Sequence, residues 1–154
     1  MRRCINDICN SSRNNMMVRS ENADSELLGI VSISSTGEYL VVDGGANVVY
    51  RCILTSPNNQ ILESSCGVFT SDMFDPYAIT IDEVKQLVYV SDFTKGVITV
   101  FDYEGLNLGD LGGTGALFAT NGLAFRHGAY APLMVVVDVA IMLLSRECSC
   151  SRIE

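Results

Sequence analysis

Tyr39-Leu40-Val41-Val42-Asp43 and Val88-Tyr89-Val90-Ser91-Asp92 are two short apolar runs, each closed by an aspartate and set forty-nine positions apart. The same offset relates Gly29-Ile30-Val31-Ser32-Ile33 to Ala78-Ile79-Thr80-Ile81-Asp82, and Asn47-Val48-Val49-Tyr50 to Gly96-Val97-Ile98-Thr99, without a gap. A third copy starts at Gly122-Leu123-Ala124-Phe125 and runs to Leu133-Met134-Val135-Val136-Val137-Asp138, its aspartate forty-six positions after Asp92. It breaks off inside its third strand. Self-similarity at a fixed period of this length is the mark of stacked supersecondary units, each unable to bury both its faces alone.

Working outward from the second copy, each unit reads as a strand, a short turn, a strand ending in Asp, a tight turn, a third strand, a polar hairpin and a fourth strand. Leu87 to Val90 is a continuous apolar run suited to a strand buried on both faces, and it follows the turn Glu83 to Gln86. Thr94-Lys95-Gly96 and Tyr103-Glu104-Gly105 supply turns, with Gly105 free to take a positive φ. In the first copy Ser56-Pro57-Asn58-Asn59 occupies the hairpin position. No helical periodicity with caps is sustained between Leu27 and Leu144. The expected class is all-β: a partial propeller of about three four-stranded blades, the last incomplete, over residues 27–144. Residues 1–26 read as a polar, disordered N-terminal segment and 145–154 as a cysteine-containing tail.

These residues resemble the NHL-repeat propellers. The likeness rests on Phe74-Asp75-Pro76-Tyr77-Ala78-Ile79-Thr80-Ile81-Asp82, on Val88 to Asp92, and on Gly96-Val97-Ile98-Thr99-Val100-Phe101-Asp102 with Gly105. The Gly-rich approach Gly112-Gly113-Thr114-Gly115 before Phe118 is similar too. The pattern's proline is Leu27 in copy one and Thr120 in copy three, Asp82 becomes Arg126, and its third-strand basic residue is Val48 or Val97. The resemblance implies a ring of six blades, so the others would come from a longer chain or from a second copy in a homodimer. It also implies a non-enzymatic scaffold that offers loops and blade faces to a protein partner.

Bulk properties narrow the partner classes. Ten Lys plus Arg against eighteen Asp plus Glu give a net charge of −8, and six of the ten basic residues lie toward the ends: Arg2, Arg3, Arg13, Arg19, Arg146 and Arg152. Such a surface repels phosphate backbones, which argues against nucleic acid. Leu133 to Leu144 is apolar apart from Asp138, yet twelve residues are too few for a membrane-spanning helix. The first twenty-five residues lack the apolar stretch of a signal peptide, which leans the localisation toward the cytoplasm and makes use of the sequon Asn10-Ser11-Ser12 unexpected. The cysteines are Cys4, Cys9, Cys52, Cys66, Cys148 and Cys150, without CxxC or His/Cys spacing, so no zinc site is expected. Cys52 and Cys66 can approach across a hairpin, but an even count does not establish oxidation, and free, mostly buried thiols are the expected state.

For chemistry, Asp43, Asp92 and Asp138 recur once per unit at a strand end, as do Asp82 and Asp102 at turns in copy two. Recurrence predicts a structural task, accepting backbone N–H groups of the following turn. Asn121 departs from the repeat. Asn121-Gly122-Leu123 is similar to a stretch of gluconolactonase-like lactonases in which the asparagine helps to hold a divalent cation such as calcium or zinc, the alternative, metal-dependent enzymatic reading. Its repeat counterparts are Tyr77 and Leu28, poor company for a hard cation that needs several oxygens. His127 is the only histidine and reads as a turn residue; no GxSxG motif occurs, and Gly112 to Gly115 opens no helix. Asp72, Asp75, Asp82 and Glu83 read as a solvated acidic surface. No catalytic residue and no cofactor is expected on the scaffold reading.

Overall fold

A computed structural model describes residues 17–19, 24–53, 60–62, 65–112, 117, 120–127 and 132–138. Twelve strands are defined: β1 Met17–Arg19, β2 Leu27–Ile33, β3 Glu38–Asp43, β4 Val48–Ile53, β5 Gln60–Leu62, β6 Cys66–Thr70, β7 Pro76–Asp82, β8 Leu87–Asp92, β9 Val97–Asp102, β10 Asn107–Leu111, β11 Thr120–His127 and β12 Pro132–Asp138. They form two four-stranded antiparallel sheets, β2-β3-β4-β6 and β7-β8-β9-β10, a two-stranded antiparallel pair β11-β12, and a parallel pair β1-β5. The all-β class and the expected unit of consecutive strands are therefore found. Among the described residues no helix is long and apolar enough to cross a membrane.

The repeat extends to the backbone. Gly37 (φ 73°) and Gln86 (φ 56°) stand at equivalent positions of the first hairpin, and Asn47 (φ 56°) and Gly96 (φ 64°) at equivalent positions of the second. The turn geometry demands a left-handed residue at each place, and the chain supplies glycine in one copy and a polar substitute in the other.

Alternation along each strand decides which unit each face meets. Leu40, Val42 and Val49 of the first sheet pack with Ile79, Val88, Val90 and Phe101 of the second, closed off by Phe69 and Met73. Tyr89 and Ile98, on the other face of the second sheet, pack with Met134 and Val136 of the third. Each such side chain, fully buried, contributes about 1.5–3 kcal/mol. Edge-to-face contact between Phe69 and Phe101 at 6.1 Å and stacking of Tyr89 on Phe125 at 5.6 Å tie the junctions together.

Two expectations are corrected. The strand after the Ser56-Pro57-Asn58-Asn59 segment does not continue the first sheet: β5 pairs in parallel with β1, Met17 opposite Gln60, and β6 supplies the fourth strand. That turn segment itself lies outside the described residues, as do residues 139–154 and most of 1–26. Part of the N-terminal segment is thus built into the fold, both as β1 and at Asp24–Glu26. Finally, Cys52 and Cys66 are not free thiols but a disulfide, because register sets them directly opposite on β4 and β6 with side chains on the same face. The remaining cysteines lie outside the described residues.

Candidate functional site

The innermost strands β2, β7 and β11 lie side by side. In each, the ladder shifts register at the same repeat position: between Leu27 and Gly29, between Pro76 and Ile79, and between Thr120 and Gly122. Leu28, Tyr77 and Asn121 occupy these irregularities, which re-aim a side chain away from the regular pleat. Asn121 is exposed there, as a binding residue would be. Its counterparts are a hydrocarbon and a phenol, Tyr77 being packed on Phe93 at 5.4 Å. Among the described residues no group of three or more His, Cys, Asp and Glu is placed to hold a metal ion.

The recurring aspartates are committed to construction. Asp43 accepts the amides of Glu26 at 2.9 Å and Ala46 at 3.1 Å, and the Ser25 hydroxyl. Asp92 accepts those of Phe74 at 3.0 Å and Lys95 at 3.0 Å, with the Lys95 ammonium 3.7 Å away. Both carboxylates thus tie the turn after the second strand to the approach to the first, in the same way in both units. Asp82 accepts the amides of Val84 and Lys85, and Asp102 those of Glu104 and Leu106. The side chains of Asp138 and His127 lie outside the described residues.

The acidic stretch proves to be more than a solvated surface. Asp82 is fully buried, Asp72 accepts from Asn107 at 3.0 Å, and Asp75 from Thr94 at 2.5 Å. Glu83 receives the Ser34 amide at 3.1 Å, across the junction between the first two units. The Ser34 hydroxyl, then its amide, hold the Glu83 carboxyl below its ordinary 4.5. A depressed carboxyl stabilises the fold fully above that ordinary value and ceases to do so as pH falls through the lower native one. Thermal unfolding should therefore lose stability on acidification below about pH 4.5, and Glu83→Gln should flatten that acid limb. Tyr89 and Tyr103 titrate above the ordinary phenol, chiefly through burial and secondarily through the Asp82 charge and, at Tyr103, that of Glu83.

A cleft of about 260 Å³ opens at the outer junction of the first two units, lined by Glu38, Arg51, Ser65, Val68, Phe69 and Glu104. The Arg51 guanidinium lies 5.2 Å over the Phe69 ring, its Nε 4.0 Å from Glu38, and it donates to the Tyr103 carbonyl. Its charge is thus shared with the Phe69 ring, Glu38 and the Tyr103 carbonyl.

Ser91 is a residue that sequence reasoning missed. Fully buried, its Oγ accepts the Ala78 amide at 2.9 Å and lies 3.3 Å from the Thr120 carbonyl as donor, stitching β7 to β11. The available signal was a hydroxyl at the place where copy one has Val42. Ser91→Ala strands the Ala78 amide in the register irregularity, and should lower the urea midpoint by the equivalent of about 1–3 kcal/mol.

No family model and no curated protein matches the chain. Solved structures do. A nidogen/laminin complex structure aligns at TM-score 0.53 and 12% identity over 84% of this chain and 48% of that one. A catalytically inactive virginiamycin B lyase from Staphylococcus aureus, solved with quinupristin, aligns at 0.52 and 12% over 88% and 43%. This chain is a partial β-propeller. Its sheets are blades, and it spans less than half the length of either matched chain.

Proposed function

We infer that the chain works as a non-enzymatic interaction scaffold of NHL-like blades, contributing loops and blade faces to a protein partner. The supporting observation is where large apolar side chains remain open to solvent: Phe74, Val84 and Leu106 are 61–76% exposed on the loops, and Ile30, Val68 and Val137 are 45–63% exposed on the blades. Single exposed apolar residues are ordinary, but a series of them over the loops and the outermost flanks suits protein contact. Among the described residues, the carboxylates of Asp43, Asp82, Asp92 and Asp102 are meanwhile held in turns.

The rival reading, a metal-dependent lactonase-type enzyme using Asn121, makes an opposite prediction. A cation bound to the native state at a hundred times its dissociation constant stabilises by about 2.7 kcal/mol, a readily measured rise in Tm. On the scaffold reading, millimolar calcium or zinc leaves the Tm of the purified chain unchanged, and Asn121→Ala changes nothing further. A metal-dependent rise abolished by Asn121→Ala would establish the rival.

A further inference from the structure

We propose that the cleft at the outer junction of the first two blades is a pocket for a basic side chain, a lysine or arginine of a protein partner. This rests on the scaffold reading and names the chemistry of its partner. The starting point is a departure from the repeat. Leu87 and Val100 stand on the face of the second blade that meets the third, packed against the cluster of Ile98, Met134 and Val136. Their counterparts forty-nine positions earlier are Glu38 and Arg51. At the same corner of the first blade, two hydrocarbon side chains are thus exchanged for two charged ones, and a cleft of about 260 Å³ stands there. Charges at a blade junction cost desolvation that an apolar pair does not, so what these charges hold has to account for the exchange.

Register builds the walls. Glu38 lies opposite Ile53 and Arg51 opposite Gly67, and alternation along β4 puts all four on the face turned toward the second blade. Gly67 adds no side chain, and a Cβ built there meets nothing within 4 Å, so the space beside Arg51 stays open. Ile53 and Val68, 54% and 63% exposed, line the cleft together with the buried Phe69. Glu104 lines it from the second blade, on the turn that Gly105 brings against the Phe69 carbonyl. The Arg51 guanidinium is shared among the Phe69 ring, the Tyr103 carbonyl and Glu38. Glu104 is exposed and makes no ion pair among the described residues. Two carboxylates against one guanidinium leave the lining with one negative charge in excess.

These walls select their occupant. The apolar surface of Ile53 and Val68 takes a hydrocarbon stem, and the exposed Glu104 carboxylate takes a cationic head, the division by which lysine and arginine bury a stem and keep the charge wet. An anionic group meets Glu38 and Glu104 and is repelled. A neutral apolar side chain gains the stem contacts alone. The net charge of −8 draws a basic segment toward the chain before any contact forms.

The test titrates capped pentapeptides into the isotope-labelled full chain and follows backbone amides by NMR. Each peptide has alanines around one central residue: arginine, lysine, norleucine or glutamate. Arginine and lysine should give saturable shifts at Gly67, Val68 and Glu104. Norleucine should bind about threefold or more weakly, the order of an exposed ion pair, and glutamate should not bind. Glu104→Gln should bring the arginine peptide to the norleucine level while leaving norleucine unchanged, which separates the charge from the stem. Gly67→Trp, filling open space without displacing a neighbour, should abolish binding of every peptide. Both positions are exposed, circular dichroism reports the folding of each variant, and either alone suffices. The absence of localised shifts, glutamate or norleucine binding as well as arginine, or arginine binding indifferent to either substitution would each overturn the proposal. Peptides that fail to bind a chain whose Tm ignores calcium and zinc remove the pocket and leave the scaffold reading standing; a metal-dependent rise lost in Asn121→Ala removes the scaffold reading instead.

Discussion

Gly105→Ala should lower stability by about 3 kcal/mol or more, read as a fall in the urea midpoint at unchanged m-value. Two costs combine. Gly105 sits at φ 86°, where a side chain costs about 1–2 kcal/mol. A Cβ there would also lie 2.2 Å from the Phe69 carbonyl oxygen, a backbone atom that can yield only if β6 moves. That strand is held by the Phe69 ring, wedged between Phe101 and the Arg51 guanidinium, so moving it disturbs the packing of two blades. Gly37→Ala is the matched control. Its φ is 73° and nothing lies within 4 Å of the added carbon, so it should show the conformational cost alone, about 1 kcal/mol. Gly67, with no steric neighbour and no positive φ, should accept alanine without loss. Equal losses at Gly105 and Gly37 would refute the contact between the Tyr103–Leu106 turn and Phe69.

Why some of this was legible in the sequence and some was not follows from how local each cause is. The 49-residue offset between Asp43 and Asp92 announces the unit, since a turn whose two backbone amides need an acceptor selects a short carboxylate wherever it occurs. Gly105 announces its turn because few other residues tolerate that conformation. Gln86 and Asn47 conceal theirs, and only their alignment with Gly37 and Gly96 reveals four left-handed positions as one feature. The pairing of β1 with β5 left no trace: three-residue strands carry no periodicity, and a parallel pair joins segments far apart in the chain. At the candidate site, the position of Asn121 in the first strand of its blade could be read from alignment with Tyr77 and Leu28. That all three lie where the ladder shifts depends on interstrand register, which composition does not encode. Ser91 was hidden because a serine in a strand carries no signal of its own until its neighbours in space are known.

Opening the Cys52–Cys66 disulfide should cost about 3 kcal/mol, the loop-closure value for a cross-link of this span. The residues stand fourteen apart, and the segment between them leaves the first sheet to form β5 before returning as β6. In blade two the same connection is the short turn between β9 and β10, which keeps its outer strand close by chain geometry alone. Blade one has no such tether, and the disulfide supplies it. The prediction is a large drop in Tm with dithiothreitol, reproduced without reductant by Cys52→Ala/Cys66→Ala. Thiol titration of the denatured, unreduced protein should show two fewer reactive cysteines than after reduction, for this pair alone. The outer strand β6 carries Phe69, so the first region to gain hydrogen exchange on reduction should be Cys66–Thr70, followed by the Tyr103–Leu106 turn that Phe69 supports. Equal melting temperatures with and without reductant would show that register, not the covalent bond, holds β6 in place. Disulfides persist in oxidising compartments, so the same chain held in a reducing cytosol would work at the lower stability, and its first blade would be the part that opens.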